Sequence, residues 1–75
     1  MGIPLSVLKP GRMGQVVSVA AEGSMRHRLC DLGLVPGTPV ERVLSSPAGD
    51  PVCYRIRGAM IALRAEDASQ VSVLT

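Results

Sequence analysis

The sequence predicts a mainly β fold with one short helix, arranged as a small barrel of about five strands in a single domain that spans residues 1–75. Three observations predict it. A chain of 75 residues is too short for a second core, short alternating apolar stretches are separated by turn residues, and only one longer stretch has helical spacing. Five short strands cannot cover both faces of an open sheet, so we expect the sheet to curl on itself.

Small aliphatic side chains must build the core, because 47% of the residues are apolar while the chain has one Tyr and neither Phe nor Trp. The formal charge is +2, with acidic and basic residues spread along the chain without blocks. No apolar run approaches the ~20 residues that cross a bilayer. We therefore expect a soluble cytoplasmic protein whose Cys30 and Cys53 are reduced thiols.

The first predicted strand follows a turn near the start of the chain. Leu5 and Leu8 precede Lys9-Pro10-Gly11, in which proline fixes one dihedral angle and glycine permits the other. Residues 14–20 then alternate as in a half-buried strand, which places Val17 and Val19 on one face and Val16 and Ser18 on the other.

One helix is predicted, from about residue 25 to residue 32. Ser24 is expected to cap its first turn, and Met25, Leu29 and Leu32 are spaced to form one face. Gly33 is predicted to end the helix in a left-handed conformation, and the following proline prevents its continuation. Residues 32–37, Leu-Gly-Leu-Val-Pro-Gly, are thus a helix stop and a turn.

The second half of the chain is predicted to form hairpins. Residues 38–45 read as a strand, although Arg42 then shares a face with Val40 and Leu44 and fits poorly in a core, unless a bulge or a partner explains it. The proline and glycine residues at 47–51 predict a turn. The remaining predicted elements are a strand at 52–57, a reversal at Gly58-Ala59, a strand at 60–64, a helical turn at 66–68 and a last strand at Val71 and Val73.

These features together resemble the ferrous iron transport protein A (FeoA) family, whose members have an SH3-like barrel. The resemblance spans nearly the whole chain. It lies in Leu5 with Lys9-Pro10-Gly11, Arg28-Leu29, Leu32-Gly33-Leu34-Val35-Pro36-Gly37, Gly49-Asp50-Pro51, Arg57-Gly58, Ala62-Leu63-Arg64 and Ala68. Arg42 and Cys30 depart from the family pattern, which tends to have apolar residues there.

The resemblance implies an accessory protein that acts with the membrane ferrous iron permease, whose cytoplasmic G-domain hydrolyses GTP. It implies no catalysis, and the residues agree, because His27 is the only histidine and the simpler role of nearby Ser24 is capping. The expected location is the cytoplasm, peripheral to the inner membrane through the permease. We expect a monomer or a weak homo-oligomer without direct membrane insertion.

The candidate metal ligands are adjacent on the predicted helix. His27 and Asp31 are four residues apart, and Cys30 flanks them. Because the apolar face of the helix points elsewhere, we interpret these residues as a solvated surface and expect no cofactor. Adventitious zinc or nickel is the occupant that such donors favour over Fe²⁺.

Four residues are predicted to bind the partner protein: Leu34, Val35, Arg55 and Arg57. Arginine suits this role because its planar fork pairs with carboxylates. For Leu34 the alternative is core packing, and for the arginines it is a solvated strand face. A proline-rich peptide groove or a nucleic-acid surface would need several aromatic side chains, which Tyr54 alone cannot supply.

A second function, from another class, is a metal-responsive regulatory module related to the C-terminal barrel of iron-dependent repressors. Such a module would bind a transition metal. It lacks the helices that read DNA, so it would not bind an operator.

Overall fold

The computed structural model describes residues 2–43 and 49–75. It contains six strands and two helices, with a 3-10 turn at Leu5–Val7. The strands are β1 (Ile3–Pro4), β2 (Met13–Val19), β3 (Pro39–Arg42), β4 (Val52–Ile56), β5 (Ala59–Leu63) and β6 (Val71–Leu74), and the helices are α1 (Gly23–Asp31) and α2 (Ala65–Ala68).

The six strands form one antiparallel sheet in the order β1-β6-β2-β3-β4-β5. The mainly β class is therefore confirmed, with a sixth strand beyond the five predicted. The extra strand is β1, whose two residues are too short to show an alternation in sequence. The sheet is barrel-like without being closed, because its order runs from β1 at one edge to β5 at the other.

One apolar cluster lies inside the sheet and includes side chains from the 3-10 turn, both helices and five of the strands. Tyr54 is the largest fully buried side chain, and its hydroxyl donates to the carbonyl oxygen of Leu5 at 3.4 Å. Burial raises the pKa of Tyr54 above its usual value of 10.0; nearby Arg42 opposes this rise and Asp50 adds to it.

Helix α1 begins earlier than predicted and ends as predicted. Its first residue is Gly23, preceded by Glu22, so Ser24 lies inside the first turn and the predicted Ser24 cap is wrong. At the other end Gly33 has a φ of +105°. The Gly33 N–H donates to Cys30 O at 2.9 Å and the Leu34 N–H donates to Leu29 O at 3.0 Å, which is a Schellman ending.

Two strands depart from simple alternation. In β2 the register with β6 shifts between Val16 and Ser18, so Val17 is exposed whereas Val19 packs against the core. The prediction that Val17 and Val19 share a face is therefore wrong, because a bulge adds one residue to the strand.

In β3 the awkward Arg42 is explained by a contact within the chain, because its Nη1 donates to the Leu8 carbonyl oxygen at 2.7 Å. The predicted continuation of this strand to residue 45, and the predicted turn at 47–51, lie partly outside the described residues.

Candidate functional site

Arg57 lies in a tight turn and not in a strand. Ile56 pairs with Ala59, so the loop between β4 and β5 consists of two residues, Arg57 and Gly58, with φ of +52° and +79°. A two-residue hairpin whose loop residues both have positive φ matches the twist of the flanking strands. The predicted reversal at Gly58-Ala59 is one residue too late in the sequence. Arg57 therefore lies in the loop, and not on the strand face predicted for it.

The Arg57 side chain lies over the helix stop. A Cβ atom added at Gly33 would meet Arg57 Cδ at 3.0 Å, Ile56 Cγ2 at 3.1 Å and Arg57 Nε at 3.2 Å. The missing side chain of Gly33 thus leaves the space that the arginine stem occupies. Two features far apart in sequence meet here, and we call Gly33, Val35 and Arg57 the Gly33 corner.

Leu34 is fully buried, so its predicted exposure is wrong, and its burial agrees with the alternative of core packing. The Schellman ending explains this, because it commonly brings an apolar contact between the residue after the glycine and the last turn of the helix. Leu34 and Leu29 both belong to the core cluster. Val35 is half-buried, and its N–H donates to Gly33 O at 2.9 Å.

Arg55 is held by its own neighbours on the outer face of β4. Its Nη1 lies 3.5 Å from Glu41 Oε1, and its Nη2 lies 4.0 Å from Met60 Sδ. The Arg55 side chain is 55% exposed, so this ion pair contributes little to stability and leaves the guanidinium accessible. The contacts of Arg55 with Glu41 and Met60 were not predicted from the sequence. They follow from the strand register, which places Glu41 and Met60 directly opposite Arg55 on the two neighbouring strands.

The three metal-ligand candidates do not converge on a site. His27 and Asp31 are exposed on α1 and Cys30 is half-buried. Within residues 2–43 and 49–75, no group of three or more His, Cys, Asp or Glu side chains is placed to hold a metal ion. Cys30 and Cys53 are free thiols.

None of the helices in the described part of the chain has the length and apolar character needed to cross a bilayer.

Comparison with known proteins places the chain in a family. Residues 3–74 match the FeoA domain. An Fe(2+) transport protein A/Fe(2+) transporter FeoB fusion protein of Porphyromonas gingivalis is 38% identical over 69 residues. The match covers 92% of this chain but only 8% of the fusion protein, so the chain spans a small part of that relative's length.

Solved structures show the same fold. A crystal structure of the iron uptake regulatory protein FeoA is 32% identical, with a TM-score of 0.86 over 99% of this chain and 97% of that chain. Stenotrophomonas maltophilia FeoA complexed with zinc, described as an SH3 domain protein, is 32% identical with a TM-score of 0.81 over 97% of this chain and 88% of that chain. The predicted SH3-like fold is thereby confirmed.

A manganese-dependent transcriptional repressor also superposes, with a TM-score of 0.85 over 99% of this chain and 41% of that chain. Its sequence identity is 16%, so this likeness shows a shared fold alone.

Proposed function

The chain belongs to the FeoA family of ferrous iron transport, and on that premise we propose that it is an accessory protein that docks on the cytoplasmic side of the ferrous iron permease and modulates its transport or GTPase cycle. In this proposal it resides in the cytoplasm and reaches the inner membrane only through the permease. It binds no nucleic acid.

One observation supports the proposal most. In the Porphyromonas gingivalis relative, a segment 38% identical to this chain lies in one polypeptide with the FeoB transporter. A covalent connection keeps two domains at a high effective concentration, which is useful when they act on each other.

The Gly33 corner is the surface that we propose for docking. Arg57 is exposed and its stem rests on Gly33, so the guanidinium projects from a turn whose backbone is fixed. Val35 adds a half-buried apolar group two residues beyond Gly33. A planar guanidinium beside an apolar group suits an acidic surface, because arginine pairs bidentately with carboxylates. Arg55, the other predicted docking arginine, lies on β4 two residues before Arg57 and is paired with Glu41.

The test is binding to the full-length permease in nanodiscs, measured for the wild type and for Arg57→Glu. We expect the charge reversal to raise Kd at least about tenfold, because it replaces attraction by repulsion at a desolvated contact. Lys9→Glu is the matched control, since it makes the same charge change at an exposed residue of another turn. Equal affinities of Arg57→Glu and wild type would remove the Gly33 corner from the proposal.

The GTPase rate of the permease is the second readout. We expect saturating wild-type protein to change that rate and the Arg57→Glu protein to change it only at higher concentration. A permease that neither binds the chain nor alters its GTPase rate when the chain is added would contradict the proposed function as a whole.

We also propose that the chain itself is not a catalyst. His27, the only histidine, is exposed on α1, whereas nucleophilic catalysis needs a base that is oriented by a third group. Added GTP should therefore remain intact in the presence of the chain alone.

The metal-responsive module is the second candidate, and one observation favours it: a relative 32% identical to this chain was crystallised with zinc. His27, Cys30 and Asp31 are the donors that this candidate function would have to use, although they do not converge on a site in the described structure. Titration of the chain with zinc, and then of His27→Ala, separates the candidates. In isothermal titration calorimetry, a stoichiometric zinc site with a micromolar Kd that is lost in His27→Ala would favour the metal-responsive function. Zinc binding too weak to give a measurable Kd would favour docking alone.

A further inference from the structure

We propose that the free edge of β5 binds an extended, acidic segment of the partner protein, which adds a strand to the sheet. This inference rests on the proposed function, because the partner is the permease. It deepens that function by naming the binding mode and the chemistry of the segment.

The backbone of β5 is paired along one side only. Among the described residues β5 is an edge strand, and its sole neighbour in the sheet is β4. In a two-residue hairpin the pair next to the loop, here Ile56 and Ala59, exchanges both hydrogen bonds, and hydrogen-bonded and non-bonded pairs then alternate. Met60 and Ala62 fall in the non-bonded pairs, so their N–H and C=O groups point away from β4.

A hydrogen bond on the far side of β4 supports this assignment. The Val43 N–H donates to Cys53 O at 3.1 Å, so the Cys53 carbonyl faces β3 and not β5. Cys53 is the register partner of Ala62. The backbone groups of Ala62 are therefore directed to the open edge, as the hairpin rule requires.

Within the described residues, β5 has no charged side chain, no proline and no bulge that would hinder strand addition. Natural edges are blunted by charged side chains, by proline or by a bulge. The sequence of β5 is Ala-Met-Ile-Ala-Leu, and its register with β4 runs without a shift. Ala59, Met60 and Ala62 are exposed, and alanine is too small to shield the backbone beside it.

Three exposed arginines define the chemistry of the segment. Arg57 precedes β5, Arg64 follows it, and Arg55 lies opposite Met60 on the neighbouring strand. An uncharged edge between positive ends fits a segment with apolar or small central residues and carboxylates toward both ends. A second copy of this chain is the poorer occupant, because antiparallel pairing of two β5 strands would bring Arg57 of each copy near Arg64 of the other.

The direct test is amide hydrogen exchange of the full chain with and without the full-length permease in nanodiscs, read residue by residue by NMR after dissociation. We expect the exchange of the Met60 and Ala62 amides to slow at least about tenfold in the complex, because strand addition satisfies both. The Ile61 amide, which faces β4, is the internal control and should change little.

A variant tests the same edge by affinity. Ala62→Pro removes an outward N–H without removing a bond to β4, and we expect it to raise Kd for the permease about tenfold or more, as expected when a buried acceptor loses its donor. Ala62→Thr keeps the N–H at the same exposed position and should bind as the wild type does. If Ala62→Pro does not fold, the exchange measurement decides.

The outcomes separate this inference from the function beneath it. Wild-type binding without protection of Met60 and Ala62 would overturn the β5 inference and leave the proposed function intact. Absence of any binding would overturn both. If the two amides are already protected in the isolated chain and the chain sediments as a dimer, β5 pairs with a second copy. That result would overturn the proposal that β5 binds an acidic segment.

Discussion

Replacing Gly33 with alanine tests how the helix stop and the Arg57 turn depend on each other. The added methyl group meets two obstacles at this position. One is the backbone, whose φ of +105° is strained for any residue with a Cβ. The other is the space itself, since the new atom would lie 3.0 Å from Arg57 Cδ and 3.1 Å from Ile56 Cγ2.

The two obstacles differ in cost. A left-handed alanine lowers the free energy of unfolding by roughly 1–2 kcal/mol. The smaller conformational entropy of the unfolded alanine variant offsets roughly 0.4–1 kcal/mol of this loss. The arginine stem is flexible and can swing aside, but Ile56 is fully buried, and overpacking a buried side chain typically costs about 1–3 kcal/mol. We therefore expect Gly33→Ala to lower the free energy of unfolding by about 2–4 kcal/mol.

Gly37→Ala is the matched control. Gly37 has a similar φ of +95°, but a Cβ there would meet nothing within 4 Å. Its expected loss is limited to the backbone, about 1 kcal/mol. Urea unfolding followed by far-UV circular dichroism measures both variants, and their difference isolates the contact with Arg57 and Ile56.

A double variant, Gly33→Ala with Arg57→Ala, divides that contact further. If Ile56 carries the cost, removing the arginine stem should recover little of the lost stability, whereas recovery of most of it would assign the cost to Arg57. Equal losses for Gly33→Ala and Gly37→Ala would refute the reasoning, because they would show that the packing over Gly33 has no energetic consequence.

The remaining predictions concern two core residues. Because burial raises the pKa of Tyr54, the unfolded chain loses this proton first. The contribution of Tyr54 to stability should therefore be constant below about pH 10 and fall as the pH rises toward the folded value. Denaturant titrations at a series of pH values measure this fall, and absorbance at 295 nm follows the ionisation of the single tyrosine. If Tyr54→Phe shows the same fall, the fall is not caused by Tyr54. Leu34→Ala should lower the free energy of unfolding by about 2–5 kcal/mol; a stable Leu34→Ala protein that fails to bind the permease would instead place Leu34 in the interface.

The elements that sequence reasoning predicted well are those whose local pattern and tertiary surroundings agree. Val52, Tyr54 and Ile56 alternate, and all three are buried in β4. Gly33 ends the helix because no other residue adopts its conformation freely, which is a local requirement visible in sequence.

The features that sequence reasoning missed depend on distant partners or on a change of period. Arg42 looked wrong for a core because its acceptor, the Leu8 carbonyl, lies 34 residues away. The bulge in β2 shifts the pattern by one residue. The left-handed backbone of Arg57 could not be predicted from its residue type, because the first position of such a turn usually holds Asn, Asp or Gly.

The pairing of β1 with β6 has a consequence for how such a domain is attached to other proteins. Ile3 lies opposite Val73, so the polypeptide enters and leaves the described domain at neighbouring points. A transporter joined to either end of the domain would therefore be attached at nearly the same point. A short flexible linker there gives the domain a local concentration near the transporter in the ~millimolar range. A tethered domain of this kind can work with a weak and rapidly reversible contact, whereas a separate chain must supply the whole affinity through its own surface.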